Sequence, residues 1–237
     1  MHTNTSVIIQ HRFCGPPSSG NGGYVCGLMA GYIDGVAEVT LRQPPPLDKP
    51  MVLEHANAGR VLLRDGEDII AEAKPVTFEL NVPNPPSFRE ATEASRTYLG
   101  FEYHPFPTCF VCGPDRTEID GLRIFAGRVP ENNMVSAPWV PDADLSDDKG
   151  HIRSEFLWSA LDCPGYFAAI DDHYVPMLLG RLTARIDRPL TPGERCVVTG
   201  WRIRKDGRKH NIGTALFSGS GELCGYAMAI WIEVTGH

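Results

Sequence analysis

One acidic residue stands where acids are scarce. Asp162 lies in the apolar run SALDCPGYFAA, on a segment of helical spacing that also carries Phe156, Leu157, Trp158, Leu161, Tyr166 and Phe167. Carboxylates rarely occupy so apolar a helix face unless they are paired or put to use. Two residues on, Pro164 removes the helical hydrogen bond to the carbonyl of Ala160, which predicts a kink. Asp162 is therefore a candidate for chemistry, or else a cap for a backbone N–H freed near that kink. The second candidate is Asn21-Gly22-Gly23-Tyr24, at the start of another apolar helix. Glycines there leave free N–H groups and the positive end of the helix dipole open to an electron-rich oxygen. The plainer readings are an Asn21 cap and a tight glycine turn with close helix–strand contact.

Thiols and basic residues supply two further sets. Cys109 and Cys112 form a CxxC in YHPFPTCFVCGPDR. A structural zinc site normally has four protein ligands, so this pair is half a site. His104 is near enough to join, but no second CxxC or HxxxH exists, and the sequence assigns no metal ligands. A redox CxxC should open a helix after a strand, whereas this one runs into Gly113-Pro114. Buried or loop thiols are the expectation, with a metal-stabilised linker as the alternative that metal analysis would decide. The run WRIRKDGRKH concentrates Arg202, Arg204, Lys205, Arg208 and Lys209 around an Asp206-Gly207 turn, which reads as a hairpin tip. Such a tip suits phosphates, although lysine and arginine also commonly blunt sheet edges. The acidic DADLSDD stretch lacks the glycine and terminal glutamate of a calcium loop.

The elements that must position these groups occur twice in one order. SSGNGGYVCGLMAGYI and HIRSEFLWSALDCPGYFAAI each read as an apolar helix. A proline-marked strand pair follows each, VTLRQPPPLDKPMVLE and then ARIDRPLTPGERCVVTGW. Each half closes on a glycine-turned hairpin, LLRDGEDIIAEAKPV and then ALFSGSGELCGYAMAIWIEV. Fixed-order self-similarity predicts two copies of one supersecondary unit. The first copy is expected over 1–82 and the second over 119–237. Between them, 83–118 is expected to be a Pro/Gly-rich linker carrying the CxxC. In the first copy, residues 6–13, 36–43, 51–58, 60–64 and 68–80 read as strands. In the second, LRIFAGRV and MVSAPWVP read as strands ahead of the helix.

Composition narrows the function classes. The 237 residues are 42% hydrophobic and 22% charged, an ordinary globular balance with enough apolar material for a large core. A net charge of −7 with no long basic run argues against a nucleic-acid partner. No uninterrupted apolar stretch is long enough for a membrane span, and MHTNTSVIIQHRF lacks signal-peptide character, so a cytoplasmic address is expected. Seven scattered cysteines do not form a secreted disulfide framework. GxSxG, GxxxxGK[ST], HExxH and GxGxxG are all absent.

A strand, a long apolar helix and an antiparallel meander wrapping it resemble the hotdog fold, here as two fused units. Asn21-Gly22-Gly23-Tyr24 resembles the glycine pair opening the central helix of hotdog acyl-CoA thioesterases. Leu161-Asp162 resembles the helix-borne acid of the phenylacetyl-CoA and hydroxybenzoyl-CoA thioesterase branch. The resemblance implies an α+β protein with a site between units, one giving helix N-terminal N–H groups to the thioester carbonyl, the other a carboxylate. With the helices side by side, Gly22-Gly23 falls opposite Ser154-Glu155, and Asp162 opposite Ala30 or Gly31. The glycines are in one copy and the acid in the other, so one composite site is implied. In it Gly23 is the first-choice oxyanion donor and the Tyr24 N–H the second. Asp162 is the general base or nucleophile, its pKa raised by apolar walls, and Asn21 orients water or carbonyl. Gly22, Tyr24, Arg202, Arg204, Lys205 and Arg208 are the expected substrate-binding residues. The implied substrate is an acyl-CoA or similar thioester, with no cofactor beyond that coenzyme A, and a homodimer is a further expectation. The rival readings are a hotdog hydratase or dehydratase, for which His151 and His173 do not match the needed pattern, and a non-catalytic acyl or aromatic binding protein.

Overall fold

The structure is a computed structural model and describes residues 5–130 and 132–234. Positions 1–4 and 235–237, where the two expected copies begin and end, lie outside the described residues. Along the first half run β1 (Thr5–Ile8), α1 (Gly22–Ala30), β2 (Ala37–Leu41), β3 (Pro50–His55), β4 (Val61–Asp65) and β5 (Asp68–Pro75). A helix α2 (Phe88–Ser95) follows. The second half holds β6 (Gly127–Arg128), β7 (Met134–Trp139), α3 (Ser154–Ala160), α4 (Cys163–Ala169), β8 (Met177–Ile186), β9 (Cys196–Asp206), β10 (Lys209–Ser218) and β11 (Leu223–Glu233). None of the described helices is long and apolar enough to cross a membrane.

Among the described residues eleven strands join one antiparallel sheet in the order β1-β3-β4-β5-β2-β8-β11-β10-β9-β7-β6. Read outward from the centre, β2-β5-β4-β3-β1 on one side answers β8-β11-β10-β9-β7 on the other. The duplication seen in the sequence is thus a duplication of topology, about an axis between β2 and β8. Those two strands pair Ala37 with Ala184 through Thr40 with Arg181, so the halves share a continuous sheet.

The halves differ in how their sheets are covered. In β3, exposed and buried residues nearly alternate, as on a half-solvated sheet. In β10 every residue after Lys209 is buried. One face of that half-sheet receives α4, where a Cβ on Gly200 would stand 2.7 Å from the Pro164 carbonyl oxygen. The other face is covered by the proline-rich strap after β5. Phe78, Leu80, Val82 and Phe88 pack there on Val197, Trp201, Phe217 and Tyr226, with Ala91 of α2. Prolines suit this strap because it runs extended without giving N–H groups to a ladder. A capping box at Ser87 and Glu90 then starts α2.

Local expectations need adjustment: the strands expected over 51–58 and 68–80 end at His55 and Pro75. Residues 9–13 leave the first strand for a short 3-10 turn at His11–Phe13. LRIFAGRV contributes only Gly127–Arg128 to the sheet. The second helix breaks in two at Asp162 rather than kinking, and Pro164 occupies the first turn of α4, where its missing N–H costs nothing. The linker is also less solvated than its composition suggests: Cys109, Phe110, Val111 and Cys112 are all buried. Phe110 stands edge-on to Phe13 at 5.0 Å, and Phe13 stacks on Tyr24 at 4.2 Å.

Candidate active site at the crossing of the two central helices

Helices α1 and α3 cross at the centre of the molecule through two glycines one turn apart. A Cβ on Gly23 would lie 2.5 Å from Asp162 Cβ, 2.9 Å from the Trp158 carbonyl oxygen and 3.0 Å from Ser159 Cα. On Gly27 it would lie 2.5 Å from Glu155 Cα. Gly23-x-x-x-Gly27 is therefore a slim helix face against another helix, where the sequence had suggested a strand. Gly22 faces Leu179 and Leu41 of the neighbouring strands, where an added Cβ would stand 2.9 Å from Leu179 Cδ2.

This close approach brings the two sequence candidates together. Gly23 N–H donates to Asp162 Oδ2 at 2.9 Å, and Asn21 Nδ2 donates to the same oxygen at 3.1 Å. Asn21 also caps α1, its Oδ1 accepting from Tyr24 N–H at 2.9 Å. One amide side chain thereby serves both the helix and the carboxylate. Asp162 caps a backbone N–H, though one of α1 rather than one released at the break in its own helix. The carboxylate is 2% exposed, and its Oδ1 has no hydrogen-bond partner among the described residues. Burial pushes the Asp162 carboxyl up to about 7, against the lowering effect of the Gly23 and Asn21 hydrogen bonds. The α1 N-terminus favours negative charge at that spot.

The Tyr24 N–H, the second expected oxyanion donor, is taken up by Asn21, and the Tyr24 ring and the basic residues lie elsewhere. The Tyr24 ring is buried in the aromatic cluster around Phe13, and burial raises its phenol to about 12. Arg202, Arg204, Lys205 and Arg208 form the exposed tip of the β9–β10 hairpin, which turns at Gly207 with φ +54°. Arg202 donates to the Ala169 carbonyl at the end of α4 and to Asp171, while Lys205 pairs with Glu233. Arg204 and Arg208 make no ion pair among the described residues. Neither His151 nor His173 hydrogen-bonds to Asp162.

Two features beside the acid were not assembled from the sequence. A cavity of about 140 Å³ lies between the linker and the end of α4, lined by Tyr103, Tyr166, Phe167, Ile170, His173 and Tyr174. Tyr166 and Phe167 reach this lining from α4, four and five residues past Asp162, while Asp162, Asn21 and Gly23 are not part of it. The second is a knot of thiols. Cys109, Cys112 and Cys163 bring their sulfurs within 4.8 Å of one another, and Asn21 Nδ2 is 3.9 Å from both Cys109 Sγ and Cys163 Sγ. Hydrogen bonds from Cys112 and Cys163 hold the Cys109 thiol well below its usual range. Burial pushes Cys112 up, and the bond to Cys109 does the same to Cys163. Cys163 directly follows the singled-out aspartate, and that adjacency was the signal available in the sequence.

No family model and no curated protein matches the chain. Solved structures do match along its full length. A tesB protein of Mycobacterium avium subspecies paratuberculosis is 13% identical, covering 98% of this chain and 93% of its own, with a TM-score of 0.63. An acyl-CoA thioesterase II from Mycobacterium marinum is 12% identical, covering 98% and 93%, with a TM-score of 0.62. A hot dog fold protein of unknown function from Alicyclobacillus acidocaldarius is 9% identical, covering 100% and 97%, with a TM-score of 0.66. At such identities the likeness establishes architecture: this chain has the α+β double-hotdog fold.

Proposed function

We propose that the protein hydrolyses an acyl-CoA or similar acyl thioester at the α1–α3 crossing. The observation that carries this reading is the buried Asp162 carboxylate of the second copy, hydrogen-bonded to Gly23 N–H and Asn21 at the helix N-terminus of the first. Thioester hydrolysis needs a site for a developing oxyanion and a base for water, and both are within one hydrogen bond here. In the proposed reaction the substrate carbonyl takes over the Gly23 N–H from Asp162 Oδ2. The freed carboxylate accepts a proton from water as the water oxygen bonds to the carbonyl carbon. The oxyanion of the tetrahedral intermediate rests on the Gly23 N–H and the α1 dipole, a donor of the kind worth about 3–4 kcal/mol. Collapse of the intermediate breaks the carbon–sulfur bond, and Asp162 returns its proton to the departing thiolate. Arg204 and Arg208 are the basic groups proposed to meet the coenzyme A phosphates.

The aromatic-lined cavity is proposed to hold the acyl group. Its 140 Å³ compares with the roughly 150 Å³ cavity known to take benzene, so short or single-ring acyl groups are favoured over long chains. The test is thiol release by the wild-type protein from short, medium, long and aromatic acyl-CoAs, with hydration of an enoyl-CoA measured in parallel. Thiol release strongest with short or aromatic acyl groups supports the reading. Hydration without thiol release, or tight binding without either, refutes it.

A further inference from the structure

We propose that Cys109, Cys112 and Cys163 are the ligands of a zinc ion that ties the linker loop to the start of α4. Nothing in this depends on the thioesterase reading. The sequence offered two ligands, and the fold supplies the third from 51 residues further along the chain. All three sulfurs are buried and lie within 4.8 Å of one another. Cys109 Sγ and Cys163 Sγ are 3.8 Å apart. That is far beyond a disulfide, at about 2.05 Å. It matches the edge of a tetrahedron of sulfurs about 2.3 Å from a central zinc, which is about 3.8 Å.

The loop around the pair is held in a tight turn. Gly113 N–H closes the turn onto the Cys109 carbonyl at 2.9 Å, and a Cβ on Gly113 would stand 2.5 Å from the Cys109 nitrogen. Only glycine fits such a turn. Tyr98 donates its hydroxyl to the Cys112 carbonyl at 2.8 Å and pins the other end. His104 Nε2 is 3.3 Å from Cys112 Sγ, while its Nδ1 accepts Phe106 N–H at 3.0 Å. An accepting Nδ1 puts the ring proton on Nε2, so His104 donates to the Cys112 sulfur and is assigned as its positioning partner rather than a ligand. Three soft sulfur donors select zinc over oxygen-loving magnesium or calcium. Binding converts each ligating thiol to thiolate with release of its proton to solvent. A water or other small ligand fills the fourth position, as in zinc sites with three protein ligands.

The test is elemental analysis of the full chain, expressed without a metal-binding tag in zinc-supplemented medium. About one zinc per chain is expected in the wild type and in Cys224→Ala, with stoichiometric metal lost in Cys163→Ser. A second measurement covers the case in which Cys163→Ser fails to fold. The wild type is titrated with an organomercurial thiol reagent while a metallochromic dye reports released zinc. The expected result is one zinc released as three thiols react. His104→Gln is expected to keep the metal with roughly 10–100-fold weaker affinity, the usual cost of a lost outer partner. Wild-type protein without zinc, with all seven thiols titrating independently or with a mass two hydrogens short, overturns the site. Complete metal loss in a folded His104→Gln overturns the donor assignment.

Discussion

Gly23→Ala probes the helix crossing on which the site depends. The added methyl would stand 2.5 Å from Asp162 Cβ, 2.9 Å from the Trp158 carbonyl oxygen and 3.0 Å from Ser159 Cα. None of these belongs to the end of a flexible side chain. Carbon atoms settle at about 3.5–4.0 Å, so α1 and α3 must separate by about 1 Å. Overpacking of this kind costs about 1–3 kcal/mol. The same separation weakens the Gly23 N–H bond to Asp162, of a class worth about 1.5–3 kcal/mol. Alanine's better helix propensity offsets at most about 1 kcal/mol. The net loss is about 2–4 kcal/mol, which for a chain of this size lowers the melting midpoint by roughly 5–15 °C. The control is Gly31→Ala, eight residues on, where the nearest atom is 3.4 Å away and φ is −60°. It should be neutral or stabilising by up to about 1 kcal/mol. Urea and thermal unfolding of both variants beside wild type decide the matter. Gly23→Ala as stable as Gly31→Ala would refute the claim that the glycine is there for close approach.

Asn21→Ala removes both the α1 cap and a donor to a buried carboxylate. A cap alone is worth about 1 kcal/mol and an abandoned buried partner about 1–3 kcal/mol, so urea unfolding should show a loss of about 2–4 kcal/mol. Arg204→Glu with Arg208→Glu should raise KM for a coenzyme A thioester with little change in kcat, and the effect should shrink at high salt; an unchanged KM across ionic strengths refutes a phosphate role for the hairpin. Glu72 is held below the ordinary carboxylate value of 4.5 chiefly by hydrogen bonding to Arg42, with Arg60 assisting. A lowered folded pKa gives stability that is present above the unfolded pKa and lost as pH falls through the folded value. Glu72→Gln should therefore lose less stability than wild type when acidified below about pH 4.5, read from urea midpoints at stepped pH.

The fold was legible because its repeat is written in order: helix, proline-marked strand pair and glycine hairpin, twice. Asp162 and Asn21-Gly22-Gly23 were legible because an acid on an apolar helix and a glycine pair at a helix start are each locally unusual. The sequence could not show that Gly23 and Gly27 make a helix–helix crossing. That depends on which apolar surface α1 meets, and α1 is apolar nearly all round. The burial of the linker was hidden for a related reason. Prolines and glycines signal a loop whether it runs over solvent or, as around Phe110, over a core that needs covering. Cys163 gives no local sign of a thiol cluster, because nothing in its surroundings joins it to a CxxC 51 residues earlier.

The central claim is that the Asp162 carboxylate at the head of α1 performs thioester hydrolysis. Its most direct test is the rate of thiol release by Asp162→Asn against wild type, on the acyl-CoA that wild type hydrolyses fastest, with far-UV circular dichroism to confirm folding. The amide keeps an oxygen for the Gly23 N–H but cannot take a proton from water. A folded variant at least about 100-fold slower is the predicted result, the usual scale for a lost general base. A folded variant that releases thiol at the wild-type rate would contradict it.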